Sequence, residues 1–341
     1  MVQRVSGSPT TQEINPVKEE QVQKLQIVIT DTTMPDTRVE EGVLAPLGAT
    51  ITVGQCRTEE DVLTIARDAD ALMVQFAPIT RRVIEQLTRC KVISRFGVGV
   101  DMVDLEAARD HGIPVKNVPD YCVEEVASHA LGFILALGRR IFLQDRWMHQ
   151  GVWRVPESLG AIERWRNQTL GLVGLGRIGR KVAEFASPLG MRIIGCDVQP
   201  LKEPGVITVV DLRTVLRESD YLSLHCPLTG DTRHLINAAA LQQMKPTAFL
   251  VNVSRGGVVD TAALVDALAR NRIAGAALDV FEQEPLPADH PLRTLENVIL
   301  TPHSAAISSD AVRQLRHDTA RNVFGVFEAL LQAEGGLLPR A

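Results

Sequence analysis

The fold is decided by TLGLVGLGRIG, residues 169–179, in which an apolar run leads into closely spaced glycines. The glycines form the pattern Gly-x-Gly-x-x-Gly, after a predicted strand and at the start of a predicted helix. In this context Gly174 permits a tight turn and Gly176 lets the backbone approach an anion, while Gly179 lets helix and strand pack closely. The stretch therefore predicts a phosphate-binding turn of a parallel α/β sheet.

The start of the helix that follows this turn, and the strand after it, indicate which ligand could bind. The N–H groups of Arg177 and Ile178 lie in its first turn, where they are free and the helix dipole favours negative charge. Asp197 ends the next predicted strand, 18 residues after Gly179. Its carboxylate can accept hydrogen bonds from a ribose diol but would repel a 2′-phosphate. The pattern therefore predicts a dinucleotide site that prefers NADH to NADPH.

Short runs rich in Val and Ile alternate with helical patterns on both sides of the turn. Such alternation with short connections favours parallel sheets covered by helices. The predicted strands are 25–30, 51–53, 71–74, 92–94, 169–173, 192–197, 221–225, 248–253, 275–280 and 298–300. The predicted helices are 59–69, 81–87, 178–187, 211–218, 261–269 and 309–332, with a helical turn at 241–244.

The segment 123–148 has apolar residues at helical spacing and predicts one long helix. Trp147, Trp153 and Trp165 cluster near its end. A long helix with nearby aromatic residues suits a domain connection or a dimer surface, although an ordinary packed helix fits the same pattern.

Composition limits the possible classes of protein. The chain has 341 residues, 45% of them hydrophobic, which predicts about two domains with sizeable cores. A net charge of −5 argues against broad binding to nucleic acid or anionic lipid. No stretch approaches the ~20 apolar residues of a membrane helix, so no membrane partner is expected. Residues 1–24 are polar and predict a loose extension.

The cysteines argue against a disulfide framework. Five of them are scattered along the chain and none has Cys-x-x-Cys spacing. A structural zinc site is therefore not expected either, and a reducing cytoplasm is favoured. The five positions are Cys56, Cys90, Cys122, Cys196 and Cys226.

Three predicted strands are followed by polar residues at the edge where doubly wound sheets bind ligands. Arg255 precedes two glycines, Glu284 follows the strand near Asp279, and His303 follows the last strand. The planar guanidinium of Arg255 matches a carboxylate. His303 can donate or accept a proton near neutral pH, and a paired Glu284 would favour its imidazolium form. Together these groups could bind a carboxylate and transfer a proton.

Five motifs carry a resemblance to a known family. The chain resembles the D-isomer-specific 2-hydroxyacid dehydrogenases from about residue 25 to 332. The motifs occur in the family's order and spacing: GLGRIG at 174–179, HCPLT at 225–229, NVSRGGVVD at 252–260, ALDVFEQEP at 277–285 and TPHSA at 301–305.

The resemblance implies a set of site residues. Arg255, Glu284 and His303 would be catalytic, with Arg255 and His303 also contacting substrate. The loop RFGVGVD at 95–101 would hold the substrate carboxylate through Val98 and Gly99. No metal is implied. Cofactor contacts are implied for Gly174, Gly176, Arg177, Ile178, Gly179, Asp197, Cys226, Pro227, Thr232, Val253, Ser254, Asp279 and Ser304.

The expected fold class is α/β, with two Rossmann-like doubly wound parallel-sheet domains and an active-site cleft between them. Residues 25–118 and 305–341 are expected to form a discontinuous substrate domain, and residues 119–304 the NAD-binding domain. The expected activity is that of an NAD-dependent D-2-hydroxyacid dehydrogenase or 2-keto acid reductase, and the resemblance suggests a homodimer.

Two features leave alternatives open. The segment 123–125 is reminiscent of the C-terminal-binding proteins, NAD-binding co-regulator scaffolds that keep the same catalytic residues. Ala306 and Ile307 stand where many members of the family carry a bulky aromatic residue. The side chain of the substrate is therefore left open.

Overall fold

The computed structural model describes residues 24–153, 159–333 and 335. The predicted extension at 1–24 lies outside these residues, apart from Lys24. Within the described residues the chain forms two parallel sheets, each covered by helices. The predicted fold class, two Rossmann-like α/β regions, is confirmed.

The first sheet has five parallel strands, in the order β2-β1-β3-β4-β5 with the ranges that follow. The strands are β1 (Gln26–Ile29), β2 (Thr50–Val53), β3 (Ala71–Val74), β4 (Val92–Arg95) and β5 (Val115–Lys116). The helices between them are α1 (Arg38–Leu44), α2 (Glu59–Ala66), α3 (Arg81–Ile84) and α4 (Leu105–Asp110).

Two helices, α5 (Val123–Gly138) and α6 (Ile141–His149), lead to the second sheet. Its seven parallel strands have the order β12-β11-β10-β9-β6-β7-β8. The strands are β6 (Thr169–Val173), β7 (Arg192–Cys196), β8 (Thr208–Val209), β9 (Tyr221–Leu224), β10 (Phe249–Asn252), β11 (Gly275–Leu278) and β12 (Val298–Leu300). The remaining helices are α7 (Arg177–Ala186), α8 (Leu212–Glu218), α9 (Ala238–Gln243), α10 (Thr261–Ala269) and α11 (Ser309–Ala333).

Burial explains why the central strands read as continuous apolar runs. Every residue of β3, β6, β9, β10 and β11 is buried, because helices cover both faces of each sheet.

Several helices begin at an aspartate whose carboxylate caps the free N–H groups of the first turn. The Asp211 carboxylate accepts from the Thr214 N–H at 2.7 Å, and Asp260 caps α10 in the same way.

The predicted single helix over 123–148 is wrong. The chain breaks between α5 and α6, whose axes differ by 68°. Arg140 takes a left-handed conformation at φ 56°, and its guanidinium lies 4.4 Å from the ring centre of Phe249. A β-carbon at Gly138 would overlap the ring of Trp165. The break is therefore produced by tertiary contacts that the helical pattern does not reveal.

Helix α11 packs against α1 and β4 of the first sheet. The Ser94 hydroxyl donates to the Thr319 carbonyl at 2.9 Å, and Arg316 donates to the Glu40 carboxylate at 2.6 Å. The end of the described chain thus returns to the sheet where it began. The division into a substrate domain, 25–118 with 305–341, and an NAD-binding domain, 119–304, stays a prediction.

No single helix of the described residues is long and apolar enough to cross a membrane. In the part of the chain that the structure describes, α5 and α6 reach that length and apolarity only when taken together, and the pair is bent by 68°. Within the same residues, no group of three or more His, Cys, Asp or Glu side chains could hold a metal ion.

Candidate active site

The carboxyl ends of both sheets bring the predicted site residues together. Arg255 follows β10, His303 follows β12, and the loop 96–101 follows β4. Parallel strands place their carboxyl ends along one edge, where open α/β sheets bind ligands. Two contacts join the sheets at this edge: Arg255 to Asp101, and the ring of His303 to that of Phe76.

His303 and Glu284 form a direct pair. The Nδ1 atom of His303 lies 2.6 Å from Oε2 of Glu284, so the other ring nitrogen, Nε2, is left for a ligand. The backbone of His303 is left-handed at φ 53°. Its N–H donates to the Asp279 carbonyl at 2.8 Å, which holds this unusual conformation. The ring is thereby fixed from both the backbone and the side chain.

The electrostatics of the pair keep Glu284 ionised. Burial alone would raise the pKa of Glu284, but the hydrogen bond and charge of His303 outweigh it and hold the pKa below its usual value. The Phe281 N–H also donates to Oε1 of Glu284, at 2.8 Å. Glu284 is therefore an ionised carboxylate in direct contact with the ring of His303.

Arg255 connects the two sheets. Its Nε donates to Oδ1 of Asp101 at 2.9 Å, and its Nη1 donates to the Ser254 carbonyl at 2.8 Å. A β-carbon at Gly99 would overlap its Nη2 atom, so the guanidinium lies directly against the glycine loop. The charge of Arg255 lowers the pKa of Asp101 against the raising effect of burial. The pair is therefore ionised near neutral pH.

The glycine loop offers free backbone donors. Among the described residues, no acceptor takes the N–H groups of Val98 and Gly99. The Val98 carbonyl accepts from the Asn117 side chain at 2.6 Å, which orients this peptide. These N–H groups are thus free to bind a ligand, and their expected binding of a carboxylate stays a prediction.

Arg95 was not predicted as a site residue. It ends β4, is only 7% exposed, and its Nε is enclosed without a hydrogen-bond partner in the described part of the chain. Burial, and then the charge of Arg255, lowers its pKa to about 10, so it stays protonated at neutral pH. Arg95 is the first residue of the motif RFGVGVD at 95–101, but only the structure shows that its guanidinium is buried and unpaired.

The carboxylate of Asp279 accepts hydrogen bonds from neighbouring residues of the protein. Asp279 is 1% exposed, and its carboxylate accepts from the Thr301 hydroxyl at 2.5 Å, from the Ser304 N–H at 2.8 Å and from the Ala305 N–H at 2.9 Å. These bonds fix the turn that carries His303. The structure thus gives Asp279 a supporting position, and its expected cofactor contact stays a prediction.

The glycine turn fits a dinucleotide. Gly174 has φ 93°, and a β-carbon there would overlap the backbone of His225 and Cys226. At Gly176 a β-carbon would meet nothing within 4 Å, so the turn leaves open space beside the start of α7. The side chain of Arg177 lies 2.5 Å from that of Asp120. Free N–H groups, open space and a cation suit a pyrophosphate.

Asp197 stands beside this turn. Its Oδ2 accepts from the Leu175 N–H at 2.6 Å and its Oδ1 from the Gln199 N–H at 2.8 Å. Each carboxylate oxygen has a further lone pair that can accept from a ribose hydroxyl. The backbone bonds therefore fix the carboxylate while leaving its acceptor capacity available.

Other predicted cofactor residues lie on neighbouring strand ends. The Thr232 hydroxyl donates to the Pro227 carbonyl at 2.6 Å, and the Ser254 hydroxyl to the Asn252 side chain at 2.8 Å. Cys226 and Val253 are buried, and burial raises the pKa of the Cys226 thiol to about 11. These contacts hold the two segments in position. The cofactor contacts expected of their residues stay predictions.

The comparisons with known proteins agree on one family. Residues 131–305 match the model of the D-isomer specific 2-hydroxyacid dehydrogenase, NAD binding domain. The chain belongs to this family.

Two curated relatives carry different names. A glyoxylate reductase of Thermofilum pendens is 41% identical over 280 residues, covering 80% of this chain and 82% of the relative. A D-3-phosphoglycerate dehydrogenase of Methanocaldococcus jannaschii is 44% identical over 259 residues, covering 74% of this chain and 49% of the relative. This chain thus spans about half the length of the second relative.

A solved structure agrees in fold. The D-lactate dehydrogenase of Aquifex aeolicus, complexed with NAD and lactic acid, superposes with a TM-score of 0.80 at 27% identity, covering 92% of this chain and all of that one. The chain is therefore an NAD-binding oxidoreductase of the CH–OH group, and the scaffold alternative is not favoured.

Sequence reasoning missed further residues at this edge. Phe76 is 46% exposed, and its ring centre lies 6.3 Å from that of His303. The Asp31 carboxylate holds the loop of Phe76 by accepting three backbone N–H groups, those of Gln75, Phe76 and Ala77. The signal available in the sequence was an acidic residue directly after the predicted strand 25–30.

Proposed function

We propose that the protein interconverts 2-keto acids and D-2-hydroxy acids, with His303 as general acid and base. The observation that carries the proposal is the His303–Glu284 pair at 2.6 Å, beside an Arg255 that faces the glycine loop. A proton donor, a carboxylate-binding cation and free N–H groups are the parts that this reaction requires.

In reduction, the substrate carboxylate binds the N–H groups of Val98 and Gly99 together with Arg255. The guanidinium also polarises the C2 carbonyl, because it is planar and permanently charged. A nicotinamide held by these residues would supply the hydride to C2 in reduction and accept it in oxidation. His303 donates the proton from Nε2 to the carbonyl oxygen, and becomes neutral. Glu284 stabilises the imidazolium before the transfer, and solvent restores the proton afterwards.

The dinucleotide would be bound by the turn 174–179, with its pyrophosphate on the N–H groups at the start of α7. Asp197 would accept hydrogen bonds from the adenosine ribose and would repel a 2′-phosphate. We therefore propose NADH rather than NADPH as the preferred cofactor.

We also propose that the protein is a cytoplasmic homodimer. All five cysteines are free, as expected in a reducing compartment. Exposed apolar side chains lie on and after α6, at Ile141, Met148 and Trp153, the last 86% exposed. Such a surface suits a subunit contact. Light scattering after size exclusion should give twice the mass of the chain, and a monomer would contradict the dimer.

A substrate panel tests the proposed activity. Glyoxylate, hydroxypyruvate, pyruvate, branched 2-keto acids and 3-phosphohydroxypyruvate would each be mixed with enzyme and NADH, and NADH absorbance followed. We expect oxidation with at least one of them. Tight NADH binding without turnover on any member would contradict the proposal.

A further inference from the structure

His303 lies in a segment that is neither helix nor strand. Residues 301–308, the His303 segment, connect the end of β12 to the start of α11. In the middle of this segment, the Asp279 carboxylate accepts from the backbone N–H groups of Ser304 and Ala305. The position of the His303 ring in the cleft therefore depends on the contacts that hold the two ends of the segment.

Both ends of the His303 segment are anchored to one helix. At its start, Nε2 of His129 lies 3.1 Å from the Thr301 hydroxyl oxygen. At its end, the Ser308 hydroxyl donates to Oε1 of Glu125 at 2.7 Å. Glu125 and His129 are four residues apart on α5, so they lie on one face of the helix, one turn apart. This face of α5 thus holds the segment at two points, one on each side of the ring.

The hydrogen bonds at the first of these points have a fixed direction. The Thr301 hydroxyl has a single proton, which it donates to Oδ1 of the buried Asp279 at 2.5 Å. The Thr301 oxygen therefore accepts from His129, whose Nε2 atom carries a proton. The same Nε2 atom lies 3.9 Å from Oδ1 of Asp279. A chain of donors thus runs from His129 through Thr301 to the carboxylate that holds the middle of the His303 segment.

Packing restricts the His129 ring as well. The ring stands edge-on to that of Phe133, one turn further along α5, with the ring centres 4.5 Å apart. Phe133 is itself buried in the core that α5 shares with the second sheet. The ring of His129 is therefore held at the place from which Nε2 reaches Thr301.

We propose that His129 and Glu125 are positioning residues, which set the place of His303 relative to the substrate by holding Thr301 and Ser308. The inference rests on the proposed function, because it assumes that His303 transfers a proton. A displacement of about 1 Å at a reacting group can cost up to about 100-fold in rate, so the contacts on either side of the ring control the proton-transfer step.

The first test removes the hydrogen-bond donor of His129. His129→Leu should lower kcat about 10-fold, while KM and the NADH affinity measured by fluorescence quenching stay within about 3-fold of the wild type. His129→Gln, whose amide nitrogen can donate to Thr301, should restore kcat to within about 3-fold of the wild type. His317→Leu on α11 replaces an exposed histidine and is the control, which should leave kcat unchanged.

The solvent isotope effect separates positioning from a loss of folded enzyme. A displaced His303 slows the proton-transfer step, so the ratio of kcat in H₂O to kcat in D₂O should be larger in His129→Leu than in the wild type. A smaller fraction of folded enzyme would lower kcat without changing this ratio. A reduced kcat with an unchanged ratio would therefore overturn the inference, and so would an unchanged kcat.

Thr301→Val tests the chain of donors. It removes the hydroxyl but keeps the shape of the side chain, and it should lower kcat at least as much as His129→Leu, because the bonds to both His129 and Asp279 are lost. Adding His129→Leu to Thr301→Val should cause no further loss, since the bond between the two residues is already absent. Losses that multiply in the double variant would overturn the chain, and Thr301→Ser should restore kcat.

Glu125→Ala tests the other end of the segment and does not depend on the folding of the His129 variants. It removes the acceptor of the Ser308 hydroxyl and should lower kcat about 10-fold, again with a larger solvent isotope effect. Glu124→Ala, at the exposed neighbouring residue on α5, is the control and should change neither quantity.

The outcomes distinguish the inference from the proposed function. Wild-type kcat in Glu125→Ala and His129→Leu would overturn the inference and leave the proposed function intact. Absence of turnover by the wild type on every 2-keto acid of the panel would contradict the proposed function itself.

Discussion

The carboxylate of Asp101 and the guanidinium of Arg255 meet at 2.9 Å, although 154 positions separate them in the chain. Asp101 follows β4 of the first sheet and Arg255 follows β10 of the second. The contact orients Arg255 toward the glycine loop, because its Nε is engaged and its Nη2 lies against Gly99. We infer that Asp101 positions the cation that binds the substrate carboxylate.

Replacing Asp101 should therefore weaken substrate binding. In Asp101→Asn the guanidinium loses a charged acceptor, and a displacement of about 1 Å at a reacting group can cost up to about 100-fold in rate. We expect kcat/KM to fall about 10-fold to 100-fold, mainly through a higher KM, in steady-state kinetics. Asp110→Asn, which removes an exposed carboxylate on α4, should change neither constant. An unchanged KM in Asp101→Asn would contradict the positioning role.

The pH dependence of reduction should report the Glu284–His303 pair. The pKa of Glu284 is held low, so its carboxylate is charged at neutral pH beside the ring of His303. Glu284→Gln removes this negative charge from beside the proposed acid–base group. The basic limb of the kcat/KM profile should then move to lower pH by about one unit.

A matched control exists for this variant. Glu282 pairs with Nε2 of His234 at the same 2.6 Å, outside the proposed reaction. Glu282→Gln should leave the basic limb where it is in the wild type. A shift of equal size in both variants, or in neither, would argue against the catalytic pair.

Cofactor preference should depend on Asp197. Like charges about 4 Å apart near a protein surface repel by a few kcal/mol, so we expect kcat/KM to be about 100-fold higher with NADH than with NADPH. Asp197→Asn removes the charge but keeps an acceptor for the Leu175 N–H. The ratio should fall by about 10-fold or more. Equal kcat/KM with the two cofactors in the wild type would contradict the proposal.

Local chemistry explains why much of the fold was predictable. The strands 71–74, 169–173 and 298–300 were predicted with their observed bounds, since continuous apolar runs are typical of buried parallel strands. The Gly174 turn follows from residue types alone, because its positive φ suits glycine. The two-residue strands β5 and β8 were missed, as they are too short to produce a pattern.

Contacts between distant segments explain what could not be predicted. The break at Arg140 depends on Phe249, and the environment of Arg95 depends on the loops of the second sheet. The motif at 95–101 indicated a carboxylate site, but no spacing reveals that Asp101 meets Arg255. Such pairings depend on how the two sheets are placed, which one sequence does not specify.

In the proposed reaction, His303 transfers the proton to and from the substrate oxygen. The most direct measurement is the rate of 2-keto acid reduction by His303→Ala, taken at saturating NADH together with NADH affinity by fluorescence. We expect a rate loss of about 10²-fold to 10⁴-fold with unchanged NADH affinity. A rate within a few-fold of the wild type would contradict it.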